Sequence, residues 1–281
     1  MLRFISLLVV VFVVQLVFSV PVGPKVDKDE EPLSVPIRED LFEGDIAGVD
    51  VDSLKTPDGM ASFRNGILSS SRRWPDGKVP YTVAAGFSAA HRAVVNGAIA
   101  EINRQTNVVL TPRKTETNYI HIRNGAQSTG CYSYVGQTGG MQVVNLEPQT
   151  PTTGGCVYHG IVIHELTHAI GFYHEQSRTD RDQYVEMNWS NIQQSNHNQF
   201  NKYESNQITA FKQAYDYGSV MHYGKYAFAI DRNVWTIRPK APNQSKPIGQ
   251  RTGLSAVDIT KINSMYPKKR STVLQQVEAG Q

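Results

Sequence analysis

Cysteine is nearly absent, with Cys131 and Cys156 the only two in 281 residues. That excludes a small scaffold held by many disulfides; at this length the core, not a bridge, must supply most of the stability. Charged residues are only 19% of the chain against 40% hydrophobic, which excludes a wholly disordered or fibrous protein and leaves a globular domain. There is no internal repeat. The surplus positive charge is dispersed and not gathered into a stripe, so no nucleic-acid partner is expected. Long apolar runs are missing too, with one exception at the start.

That exception is Phe4 to Phe18, apolar apart from Ser6 and Gln15, which follows the positive start of Met1 and Arg3 and precedes the small Ser19. About fifteen residues cross a bilayer poorly, so residues 1–19 read as a secretory signal peptide, with an uncleaved anchor as the alternative. The processed protein is expected to be secreted and extracellular, without a membrane partner. In an oxidising compartment Cys131 and Cys156 are expected to pair.

Charge then marks a boundary. Residues 20–64 hold eleven acidic and five basic residues, a net of −6, whereas residues 65–281 hold 14 acidic and 22 basic, a net of +8. An acidic segment tethered to a basic domain tends to lie on it, although a solvated tail explains the charge as well. From residue 79 the pattern is globular. Strands are expected at 79–84, 108–113, 118–123 and 141–147. Helices are expected at 87–106, capped by Ser88, at 159–171, and at 255–266, capped by Ser255.

The second of these helices contains "HELTHAIGFYHE", residues 164–175. His164 and His168 are four apart, which on a helix puts both imidazoles on one face, about 6 Å apart along the axis. Two ligands of one zinc ion need that spacing, and Glu165 projects beside the metal without having to bind it. Gly171 can end the helix in a left-handed conformation and fold the chain back, so that His174 supplies a third ligand. Three histidines leave one zinc position open, as a catalytic site requires and a structural one does not.

The long zinc motif with Glu175 after the third histidine resembles that of the astacin family of metzincin peptidases. "YGSVMHY" (217–223) is similar to the family's Met-turn, with Met221 beneath the metal and Tyr223 able to approach it. "WPDGKVPYTV" (74–83), "GCYSYVG" (130–136), "GCVYHGIVIHEL" (155–166) and "RTDRDQYVEMNW" (178–189) also look like astacin segments. The resemblance implies an α/β (α+β), two-lobed zinc peptidase. Its N-terminal lobe would carry a mixed twisted sheet and the active-site helix, and its irregular C-terminal lobe would be closed by a helix. It also implies one catalytic Zn2+, protein or peptide substrates bound extended at a strand edge, Glu165 as general base and acid, and Tyr223 as donor to the developing oxyanion. A monomer is expected. Of the family's usual two bridges only Cys131–Cys156 has counterparts here; the other would join the region of Asn107 to the segment after Tyr266.

The resemblance extends to the acidic segment, where "FEGD" (42–45) fits a pro-segment motif that blocks the metal. Asp45 would be a fourth zinc ligand in the zymogen, Gly44 would let the backbone come close, and Phe42 would anchor in an apolar pocket. The expected domains are a signal peptide (1–19), an acidic pro-segment (20–64), a catalytic domain (65–267) and a tail (268–281). A trypsin-like protease would cut after Arg64, giving an N-terminus at Asn65 whose amine is implied to pair with Glu175; Arg72-Arg73 is a rival site. Arg238 and Lys240 hint at acidic substrate residues, and Asn188 and Asn243 are glycosylation acceptors by pattern. Two alternatives stand beside this reading: another metzincin, serralysin-like or reprolysin-like, and a secreted binding protein or toxin component without turnover.

Overall fold

The structure is a computed structural model that describes residues 38–48, 66–67, 69–150, 154–202 and 210–268. The expected signal peptide, most of the acidic segment, the Arg64–Asn65 junction and the tail beyond 268 lie outside the described residues.

Strand β1 (Lys78–Val83) pairs parallel with β2 (Val109–Pro112) on one side and with β3 (Tyr119–Asn124) on the other. Its Pro80 breaks no ladder on the β3 side, because pairing with β3 starts only at Tyr81. Strand β5 (Met141–Leu146) continues the sheet parallel to β3, and the three-residue β4 (Cys131–Ser133) closes it antiparallel to β5. The order β2-β1-β3-β5-β4 leaves β4 on an edge.

Helix α1 (Ala89–Gln105) starts where Ser88 Oγ accepts the His91 amide, and it buries Val95, Ala98, Ile99 and Ile102 at helical spacing. Helix α2 (His159–Ile170) packs on α1, β4 and β5 and is buried on every side from Gly160 onward. At Gly160 a Cβ would fall 1.7 Å from the Arg251 carbonyl oxygen, so only glycine allows this approach. Trp74 Nε1 donates to the Ala169 carbonyl and Tyr266 OH to that of Ile170, which satisfies the last turn of α2 inside the core. A disulfide joins Cys131 in β4 to Cys156 just before α2, with the Cα atoms 5.8 Å apart.

The C-terminal part is built mainly of 3-10 turns around a small two-stranded antiparallel sheet, β6 (Val185–Met187) with β7 (Ile237–Pro239). Apart from this sheet it is irregular, as the resemblance implies. It has its own core of Val185, Ile192, Phe200, Tyr215, Tyr217, Tyr223, Ile237 and Ile248. Helix α3 (Ala256–Met265) begins with a capping box in which Ser255 Oγ and the Asp258 carboxylate each accept the other's amide. Its Ile262 and Met265 return to the main core. Near the place where a second bridge was implied, the Asn107 amide donates to Asn263 Oδ1 in α3 at 2.6 Å. Among the described residues no helix is long and apolar enough to cross a membrane.

Candidate metal and active site

Helix α2 places His164 and His168 one turn apart, and Gly171, at φ 128°, ends it. The Gly171 amide donates back to the His168 and Thr167 carbonyls, and the reversed chain brings His174 to the same point. A side chain at Gly171 would be strained by that φ and would also press on Ile67.

Each imidazole is oriented through Nδ1. His164 donates to the Val220 carbonyl, His168 to the Phe172 carbonyl and His174 to the Glu43 carboxylate, each at 2.7 Å. A carbonyl can only accept, so Nδ1 of His164 and of His168 carries a proton, and Nε2 is the nitrogen left to face a metal. His164 Nε2 lies 3.3 Å from His174 Nε2, and Asp45 Oδ2 lies 3.1 Å from the first and 3.2 Å from the second. Asp45 Oδ1 is 3.5 Å from His168 Nε2. A tetrahedron with ligand bonds of about 2.0–2.1 Å has edges of about 3.3 Å. The spacings therefore match edges of a zinc polyhedron, and converging ring nitrogens with a carboxylate among them suit a cation at their centre. Three buried histidines and Asp45 fit a zinc ion, and one ligand atom from each lies within 4.8 Å of the others.

Glu165 is buried beside this group, and neither of its carboxylate oxygens has a hydrogen-bond partner among the described residues. Burial, reinforced by the charge of Asp45, holds its carboxyl well above the usual range. Burial lowers His164 to about 3, keeping it a neutral donor. Burial opposes a charge on His174 as well, but Asp45 and Glu43 overcome it and raise that ring to about 9; a metal cation would displace the proton so held. Burial pushes Asp45 up, yet the surrounding imidazoles bring it well below its normal value.

The remaining expected residues fall around this centre. Met221 is buried in a turn whose Ser219 Oγ and Val220 amide both donate to Asp258, so the start of α3 holds the carbonyl that aims His164. Tyr223 lies against His174, with ring centroids 4.7 Å apart, and its hydroxyl donates to the Glu43 carbonyl. Phe42 is buried in the main core, and Gly44 takes φ 78° in the turn that presents Asp45. The backbone of this segment adds to the sheet edge: Ser133 N donates to Asp45 O, and Ala47 N donates to Ser133 O. Glu175 accepts from Arg178, Lys261 and the Asp216 amide, so in this state its carboxylate is already compensated. Arg238 pairs with Glu186 and lies over the Trp235 ring, and Lys240 donates to the Asp182 carbonyl. Asn188 donates to the Trp235 carbonyl, and Asn243 is half-buried.

Sequence reasoning missed the groups behind the ligands: the Val220 and Phe172 carbonyls, Glu43 and Asp258. The first two are backbone atoms and leave no trace in residue identity. Glu43 stood in "FEGD" only as the variable position of the motif, and no role was read for Asp258 in the helix that Ser255 caps.

The family model described as Astacin, a peptidase family, matches residues 66–267. Zinc metalloproteinase nas-13 of Caenorhabditis elegans is 41% identical over 241 residues, covering 82% of this chain and 50% of that protein. High choriolytic enzyme 1 of Oryzias latipes is 42% identical over 188 residues, covering 67% of this chain and 65% of that protein. The solved structure of that hatching enzyme, described as a zinc-protease, superposes with a TM-score of 0.63 at 40% identity, covering 71% of this chain and 96% of the solved chain. The chain spans about half the length of nas-13.

Proposed function

The chain belongs to the astacin family of peptidases, and from that premise we propose that it is a secreted zinc-dependent endopeptidase made as a latent precursor. The observation that carries the reading is the convergence of His164, His168 and His174 with Asp45 beside an unpartnered Glu165. Zinc held there supplies Lewis acidity that acidifies water and polarises a carbonyl.

In the working enzyme Glu165 accepts the proton of the attacking water and passes it to the leaving amine. Tyr223, once its hydroxyl is released from the Glu43 carbonyl, donates to the oxyanion that develops on the substrate. The peptide substrate lies extended along β4, taking the Ser133 amide and carbonyl that the acidic segment now occupies. In the precursor Asp45 takes the position that water and substrate need. A trypsin-like protease cuts after Arg64, the segment leaves, and the new amine of Asn65 is received by Glu175. The protein acts as a monomer on protein or peptide substrates.

The test is to treat purified precursor with trypsin and follow casein hydrolysis with and without a zinc chelator. Activity that appears on cleavage and disappears with chelator is the expected outcome; absence of chelator-sensitive hydrolysis overturns the assignment.

A further inference from the structure

The three imidazoles are not oriented by equivalent groups. His164 and His168 donate to the carbonyls of Val220 and Phe172, which belong to the domain and stay whatever becomes of the acidic segment. His174 donates instead to Glu43, two residues before Asp45 in the segment itself. The Glu43 side chain is fully buried; its Oε2 stands 2.7 Å from His174 Nδ1 and its Oε1 accepts from Ser177 Oγ.

The backbone is bent to achieve this. Glu43 has φ 50°, a left-handed conformation that residues with a Cβ rarely adopt. Surrounding contacts hold it there: the Glu43 carbonyl accepts the Tyr223 hydroxyl, and the Ile46 amide closes the turn on the Phe42 carbonyl. A neutral exposed residue in this turn would leave His174 Nδ1 without this carboxylate.

We propose that Glu43 is a positioning residue for the metal, fixing the tautomer and aim of His174, so that the precursor binds zinc more tightly than the processed enzyme. Removing the segment then withdraws a ligand and the orienter of a second ligand together. The inference rests on the reading of His164, His168 and His174 as zinc ligands. Outer-shell acceptors of this kind strengthen metal binding by about 10- to 100-fold.

The experiment is zinc competition on the full precursor, titrating zinc-loaded protein with a chromophoric chelator. Glu43→Ala should weaken zinc binding by about 10- to 100-fold. Glu43→Gln, whose amide oxygen still accepts from Nδ1, should recover most of that loss. The Glu43→Ala loss should persist in an Asp45→Ala background. Where Glu43→Ala does not fold, Glu43→Asp, which keeps the charge but withdraws the carboxylate by one methylene, must also weaken binding. Unchanged affinity in Glu43→Ala, or in Glu43→Asp where Glu43→Ala does not fold, overturns the proposal, and so does a loss that vanishes once Asp45 is gone, because Glu43 would then only seat Asp45. Wild-type precursor that binds no zinc overturns the metal reading itself; binding that ignores Glu43 leaves that reading standing.

Discussion

Glu165 and Asp45 are buried carboxylates of the same site with opposite surroundings. Asp45 faces three imidazoles, whereas Glu165 has no hydrogen-bond partner among the described residues. Glu165→Gln preserves shape and leaves the three Nε2 atoms untouched, so processed protein should retain zinc while kcat/KM falls by about 10²- to 10⁴-fold; near-normal hydrolysis by the metal-loaded variant would remove Glu165 as the base. Asp45→Ala should give precursor that hydrolyses casein before any cut, and a silent variant would mean that the segment blocks by bulk alone. These residues are legible in sequence because a side chain and its offset define each role: His-x-x-x-His sets one helical face, and Gly171 accounts for the return to His174. Glu43 was not legible, since its part depends on a left-handed backbone that no charge pattern reveals.

Among the elements, α1 and α3 were readable from their ends inward. Ser88 and Ser255 cap where expected, and the observed helices fall within about two residues of the expected bounds. Strands β4, β6 and β7 were not readable, because three residues show no alternation and their pairing is decided by distant partners. Helix α3 does more than close the chain. Asp258 accepts from Ser219 Oγ, the Val220 amide and the Ser255 amide, and the Val220 carbonyl in turn aims His164. Asp258→Ala leaves buried donors unsatisfied and should destabilise the protein by roughly 3 kcal/mol in denaturant unfolding. Zinc affinity should fall with it; an unchanged affinity would show that the turn keeps its shape without Asp258.

For the molecule as a whole, two cores meet at the metal site, and the acidic segment touches both sides. Arg38 donates to the Thr129 carbonyl, while Gln199 donates to the Leu41 carbonyl. One disulfide closes a separation of 25 residues. Cys131→Ser with Cys156→Ser should lower stability by about 3 kcal/mol on the chain-entropy account, read as a drop in Tm; no change would mean that β4 is held by its ladder and the segment alone. Asn107 with Asn263 supplies a tie that does not depend on oxidation, so reducing agent should loosen β4 without loosening α3.

On the proposed activation, the two hydrogen bonds between the acidic segment and Ser133 join parts of one chain only until Arg64 is cut. Before the cut, dissociation leaves the segment tethered at a local concentration on the order of millimolar, and it rebinds. Afterwards the same contacts hold a separate peptide, whose occupancy falls as the solution is diluted. Cleavage is then the first of two steps, and the second is escape by dilution. Activity should lag behind the cut in concentrated solution and follow it promptly where the protein is sparse.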